Sequence, residues 1–142
     1  MTSNSAVVIV LVCRINSTVN AASSPSSSNP IVYKTCESPH TDQDLCHYII
    51  VRGDLSVGQI AAQAVHAAGG SVTETVPLNT VAVVLKVKDQ QELLYYHERL
   101  TMAGLEHMLV IECDGEAMAI GLKPTRDRKR IRKVLSSLPL VK

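Results

Sequence analysis

Apolar and polar positions along this chain fall into short runs of two periods. Residues 47–52, H-Y-I-I-V-R, form a compact apolar run between polar flanks and predict a strand buried on both faces. Gly53-Asp54-Leu55 leads to Ser56, which with Gln59 three residues later makes a capping box and predicts a helix starting at Val57. Gly69-Gly70 predicts its end, because glycine takes the left-handed closing conformation without a Cβ penalty. Residues 80–87 are a second β-branched run. Asp89 and Glu92 then open a helix in which Leu93, Tyr96, Leu100 and Ala103 recur at spacings of three and four before Gly104. Residues 108–113 and 117–122 are two further apolar runs, and the Asp114-Gly115-Glu116 between them predicts a hairpin. Pro124-Thr125 introduces a last helix with Ile131, Val134, Leu135 and Leu138 on one stripe. The order β-α-β-α-β-β-α predicts a single three-layer α/β domain over residues 45–142. Its sheet is mixed and four-stranded, its helices cover both faces, and its last two strands are antiparallel.

The first helix carries the candidate chemistry. Gln59, Gln63 and His66, spaced by four and three, stack on one face, opposite Ile60, Ala61, Ala64, Ala67 and Ala68. Small side chains let the helix lie close to a sheet, leaving the amides and the imidazole at an edge. Each has a plainer reading that stays open: Gln59 as a cap alone, Gln63 as a helix-to-loop hydrogen bonder, and His66 as a packed core histidine.

The net charge of +1 conceals an asymmetry: residues 123–142 carry eight Lys or Arg against one Asp. Such a segment meets a phosphate backbone or an acidic surface, or else is a solvated helix face. Aromatic residues are scarce, four Tyr with no Phe or Trp, which argues against a platform that stacks bases on rings. Any RNA contact must rest on charge. Cys13, Cys36, Cys46 and Cys113 show no CxxC pair and no Cys/His spacing suited to zinc, so no metal is expected. Cys36 and Cys46 are the pair available to a disulfide in an oxidising compartment, though nothing in the sequence requires one.

Residues 1–44 differ in kind. The first 36 hold no Asp or Glu and include the Ser/Pro run 23–30. The apolar block Ala6 to Cys13 has the length of a signal-peptide core, with small residues near Asn20-Ala21-Ala22, yet no Lys or Arg precedes it. It is too short to span a bilayer. Secretory signal, organelle transit peptide and disordered extension all stay open for this leader.

The residues from Tyr48 onward resemble the type II peptidyl-tRNA hydrolases of archaea and eukaryotes. The resemblance lies in Val51-Arg52-Gly53-Asp54-Leu55 followed by Gly58-Gln59-Ile60-Ala61-Ala62-Gln63-Ala64-Val65-His66-Ala67. Weaker agreement follows at Val83 to Leu93 and at Ala119-Ile120-Gly121-Leu122-Lys123-Pro124. It implies hydrolysis of the ester between a peptide and tRNA, with tRNA as partner, no cofactor, and a cytoplasmic or mitochondrial place for the chain; a homodimer is left open. It also implies a lysine just before I-A-A-Q, where this chain has Gln59, and an aspartate in the loop after the third strand, for which Asp114 is the candidate and Glu112 the second choice. On this reading Gln63, His66 and Asp114 are the candidate catalytic residues, and Gln59, Arg128, Arg130 and Arg132 the candidate substrate-binding ones. Arg52 and Asp54 are expected to pair and fix the strand exit. The departures also fit an alternative, a weakened or inactive module of the same fold that binds tRNA or protein.

Overall fold

A computed structural model describes residues 44–77 and 80–142. The leader, with Cys13 and Cys36, lies outside the described residues except for Asp44. The elements are β1 (Cys46–Arg52), α1 (Val57–Gly70), β2 (Val81–Val87), α2 (Gln90–Met102), β3 (His107–Ile111), β4 (Ala117–Leu122) and α3 (Arg128–Leu135). They follow the predicted order. The sheet runs β2-β1-β4-β3, with β1 parallel to β2 and β4 antiparallel to both β1 and β3.

Alternation along β1 divides the core into two layers. Cys46, Tyr48 and Ile50 point to one face, where Leu93, Tyr96 and Leu100 of α2 meet Ile131, Val134 and Leu135 of α3. Ile49 and Val51 point to the other, where they pack with Ala67, Ile60, Ala64 and Ala68 of α1. Helices therefore cover both faces, as the binary pattern requires. Cys46 is fully buried in the first layer, and burial pushes its thiol pKa up.

The first two helix starts are as predicted: Ser56 and Gln59 form the capping box, and Asp89 accepts from the Glu92 amide. The third helix, read as introduced by Pro124-Thr125, starts only at Arg128, because the Asp127 side chain caps it by accepting from the Arg130 amide. Two ends differ. α1 runs through Gly69 and Gly70 and closes on Ser71 in the right-handed region, its hydroxyl donating to the Ala67 carbonyl at 2.7 Å. A serine that satisfies the last-turn carbonyls makes a left-handed glycine unnecessary. The last helix stops at Leu135, but Leu138 beyond it is still buried. Glycine is required by conformation at Gly104 (φ +62°) and Gly115 (φ +88°), which end α2 and turn the β3–β4 hairpin.

Two devices fix α1 against the sheet. Gly121 on β4 has no side chain where one would meet the Ala67 carbonyl oxygen at 2.1 Å. His47, buried on β1, bonds through Nε2 to the Ser71 Oγ at 2.8 Å. Because the Ser71 hydroxyl donates to Ala67, the imidazole is the donor in this contact. Desolvation lowers the His47 pKa, so it stays neutral. Beyond α3 the chain returns along β2, with Lys86 N–H donating to the Pro139 carbonyl and Val141 N–H to that of Val84.

Candidate active site

The candidate site lies where α1 crosses the hairpin end of β3. Gln63 sits mid-helix and is 5% exposed, in the helix whose Ile60, Ala64 and Ala67 pack on the sheet. Its Nε2 donates to Glu112 Oε1 at 2.5 Å. A carboxylate only accepts, so the amide nitrogen must face Glu112 and the amide oxygen must face away. That oxygen, Gln63 Oε1, is buried and has no hydrogen-bond partner among the described residues. A buried amide acceptor without a donor costs free energy, so the contact with Glu112 is what holds this side chain in place. Gln63, His66, Met108, Val110 and Glu112 line the open groove of about 390 Å³ around this contact.

Arg52 holds the frame. At the end of β1 it is 7% exposed, donates through Nε and Nη2 to the two Asp54 carboxylate oxygens at 3.0 and 2.8 Å, and through Nη1 to Glu116 at 3.1 Å and to the Ala117 carbonyl. One guanidinium thus joins the strand exit, the loop into α1 and the hairpin that carries Glu112. The Arg52 hydrogen bonds hold the Asp54 carboxyl below the usual carboxylate range. The expected ion pair is present, with a third arm to Glu116 that spacing does not reveal.

The candidate residues separate on folding. Gln63 and His66 share the groove, with His66 exposed at its mouth. Asp114 is turned away, its Oδ1 accepting from the Glu116 amide to close the hairpin, and Glu112 takes the place beside Gln63. Gln59 is exposed and folds back, its Oε1 accepting from the Ser56 amide and hydroxyl, so it does not line the groove. The three arginines lie on α3, across the sheet from α1. Arg130 donates to the Ala103 and Gly104 carbonyls at the end of α2, Arg128 is half-buried, and Arg132 is exposed. The fold does not bring them to the groove. Among the described residues no cluster of His, Cys, Asp and Glu is placed to hold a metal.

The site thus sets a buried amide against a carboxylate in a groove at the hairpin end of a mixed sheet, and a carboxylate so placed is chemically able to act as a general base. Comparison with known proteins names the family. Residues 45–141 match the family model described as "Peptidyl-tRNA hydrolase PTH2", and the chain belongs to that family. It is also 35% identical over 112 residues to a protein of Methanopyrus kandleri named peptidyl-tRNA hydrolase, an alignment covering 66% of this chain and 96% of that one.

Proposed function

We propose that this chain is a peptidyl-tRNA hydrolase whose water is held by the Glu112 carboxylate, which the buried Gln63 amide fixes in place. The observation that carries this reading is the Gln63–Glu112 contact in the lining of an open groove. In the reaction the water oxygen bonds to the acyl carbon, its proton passes to Glu112, and the bond from the acyl carbon to the ribose oxygen breaks. The departing ribose oxygen then takes the proton, leaving a free peptide carboxyl and a tRNA hydroxyl. Gln63 orients the Glu112 carboxylate without changing charge. His66, at the groove mouth, is placed to contact the substrate beside the ester.

The groove itself brings no positive charge to the phosphates. Lys129, Arg132 and Lys133, exposed together on α3, hold the tRNA backbone away from the ester, at a separation that a molecule as long as tRNA spans. Peptidyl-tRNA arises where translation runs, and we place the enzyme in the cytoplasm or the mitochondrion. Among the described residues no helix is long and apolar enough to cross a membrane.

The test is release of an N-acetylated amino acid from its tRNA ester by the full chain, where release above the buffer rate supports the reading and its absence at high enzyme concentration refutes it. The engagement of Gln59 in the helix cap favours a second reading, a tRNA-binding module with a retired site. Gln59→Lys separates the two: a rise in release means the site is otherwise intact, and tRNA binding without release in either form means it is retired.

A further inference from the structure

The two edges of the sheet are treated differently. On the β2 edge the C-terminal segment lies alongside, with Pro139 and Val141 bonded to Lys86 and Val84. On the opposite edge β3 has no neighbour among the described residues beyond β4. Its outward backbone groups follow from the hydrogen bonds at its two ends. Lys123 N–H donates to the Glu106 carbonyl and Glu112 N–H to that of Glu116, so residues 106, 108, 110 and 112 face β4. The register shift at Val110/Ile111 sets two steps of β4 against one of β3, which leaves the alternation along β3 intact. His107, Leu109 and Ile111 therefore present their backbone N–H and C=O groups outward.

Natural edge strands are commonly blunted by lysine, proline or a covering segment. His107–Ile111 contains no Lys, Arg, Asp, Glu or Pro, and Ile111 is 58% exposed at its end. This open edge borders the groove, which is lined by Met108 through Glu112 and ends at the Gln63–Glu112 contact. Across the groove, α1 carries no charged residue over its whole length. A groove that has no lysine or arginine in its lining and carries one carboxylate, beside an unpaired strand edge, suits a polypeptide backbone and not a polyanion.

We propose that the β3 edge binds the peptide moiety of the substrate as an added strand, so that peptides of any sequence are held by their main chain. This rests on the hydrolase reading above and names which part of the substrate the groove takes. The ester must sit at the Glu112 end, so the peptide runs parallel to β3, with its free end toward His107. Every second peptide amide then donates to β3 and the amides between them face away. A five-residue strand spans about 17 Å, which limits the contact to about five peptide residues.

The experiment uses substrate variants, which cannot unfold the protein: N-acetylated peptidyl-tRNAs of one, three, five and seven residues, and a five-residue series bearing one N-methyl amide at each position. The proposal expects kcat/KM to rise at least tenfold from one residue to five and then to level off. It expects N-methylation to cost about fivefold or more at alternate positions and less than twofold between them. A flat length series in which every substrate is hydrolysed overturns the peptide strand and leaves the hydrolase reading standing; no hydrolysis at any length overturns the hydrolase reading itself. Equal losses at every N-methyl position also overturn the peptide strand, as does sedimentation showing a stable dimer at assay concentration together with a flat length series, since the edge then serves a second copy.

Discussion

Gly121→Ala tests how closely α1 must approach the sheet for the site to form. The added Cβ would stand 2.1 Å from the Ala67 carbonyl oxygen, 2.8 Å from its carbon and 2.6 Å from Ser71 Oγ. Two of these three atoms are backbone in the last turn of α1, so no rotamer change relieves them. The helix must withdraw by about 1 Å or more to restore ordinary contact distances. Overpacking of this kind costs about 2–3 kcal/mol, and here it also stretches the His47–Ser71 hydrogen bond. Gln63 lies one turn upstream of Ala67 on the same rigid helix, so the displacement reaches its contact with Glu112. A misplacement of that size costs roughly 100-fold in rate. Urea unfolding measures the first quantity and peptide release the second. Gly69→Ala is the control: none of the described residues lies near its Cβ, and replacing a glycine inside a helix is expected to add about 0.5–1 kcal/mol while leaving release unchanged. Gly121→Ala protein as stable and as active as the parent would refute the close approach and the coupling built on it.

Three further outcomes follow from named contacts. Arg52→Met removes the arms to Asp54 and Glu116; because those carboxylates are partly exposed, the expected loss is about 2 kcal/mol, or about 10 °C in melting temperature, with a larger proportional fall in release. Arg52→Lys should recover little of it, since one ammonium cannot span the bidentate contact and the hairpin together. Buried His47 has a pKa below its unfolded value, so the unfolded chain takes up its proton first and stability falls as pH drops below about 6.5, with a slope of up to ~1.4 kcal/mol per pH unit. His47→Gln should make that slope shallower between pH 7 and 5 in denaturant titrations. Changing Lys129, Arg132 and Lys133 together to Gln should raise KM for tRNA substrates and reduce the salt slope of tRNA binding by about two to three, with kcat held.

Much of the fold was legible because each element carries a local signature. The capping residues Ser56 and Asp89 fixed two helix starts, the strand runs fell within a residue or two of their observed bounds, and Gly115 marked the hairpin. What needed three dimensions was contact between elements. Asp114-Gly115 reads equally well as a turn and as a loop carrying a catalytic aspartate, and only the folded hairpin shows Asp114 used by the turn and Glu112 beside Gln63. The polar stripe on α1 was correct as a stripe, but its members differ in depth: Gln59 belongs to the cap, Gln63 is buried, and His66 is exposed. Periodicity places residues on a face without saying how far along the helix the sheet reaches. The role of Gly121 is invisible along the chain, because the atoms that exclude a side chain there belong to Ala67 and Ser71, some fifty residues away. The basic segment was evident from charge alone, but its separation from the groove depends on α3 packing on the face opposite α1.

In the proposed mechanism Glu112, not Asp114, acts with Gln63 on the ester. Single-turnover release from N-acetylated peptidyl-tRNA by Glu112→Gln and Asp114→Asn tests it most directly, since each change keeps the shape of its side chain and removes only the carboxylate. Glu112→Gln is expected to slow release by about 100-fold or more with tRNA affinity unchanged, and Asp114→Asn to stay within about twofold of the parent. Full activity in Glu112→Gln, or a large loss confined to Asp114→Asn, would contradict the account.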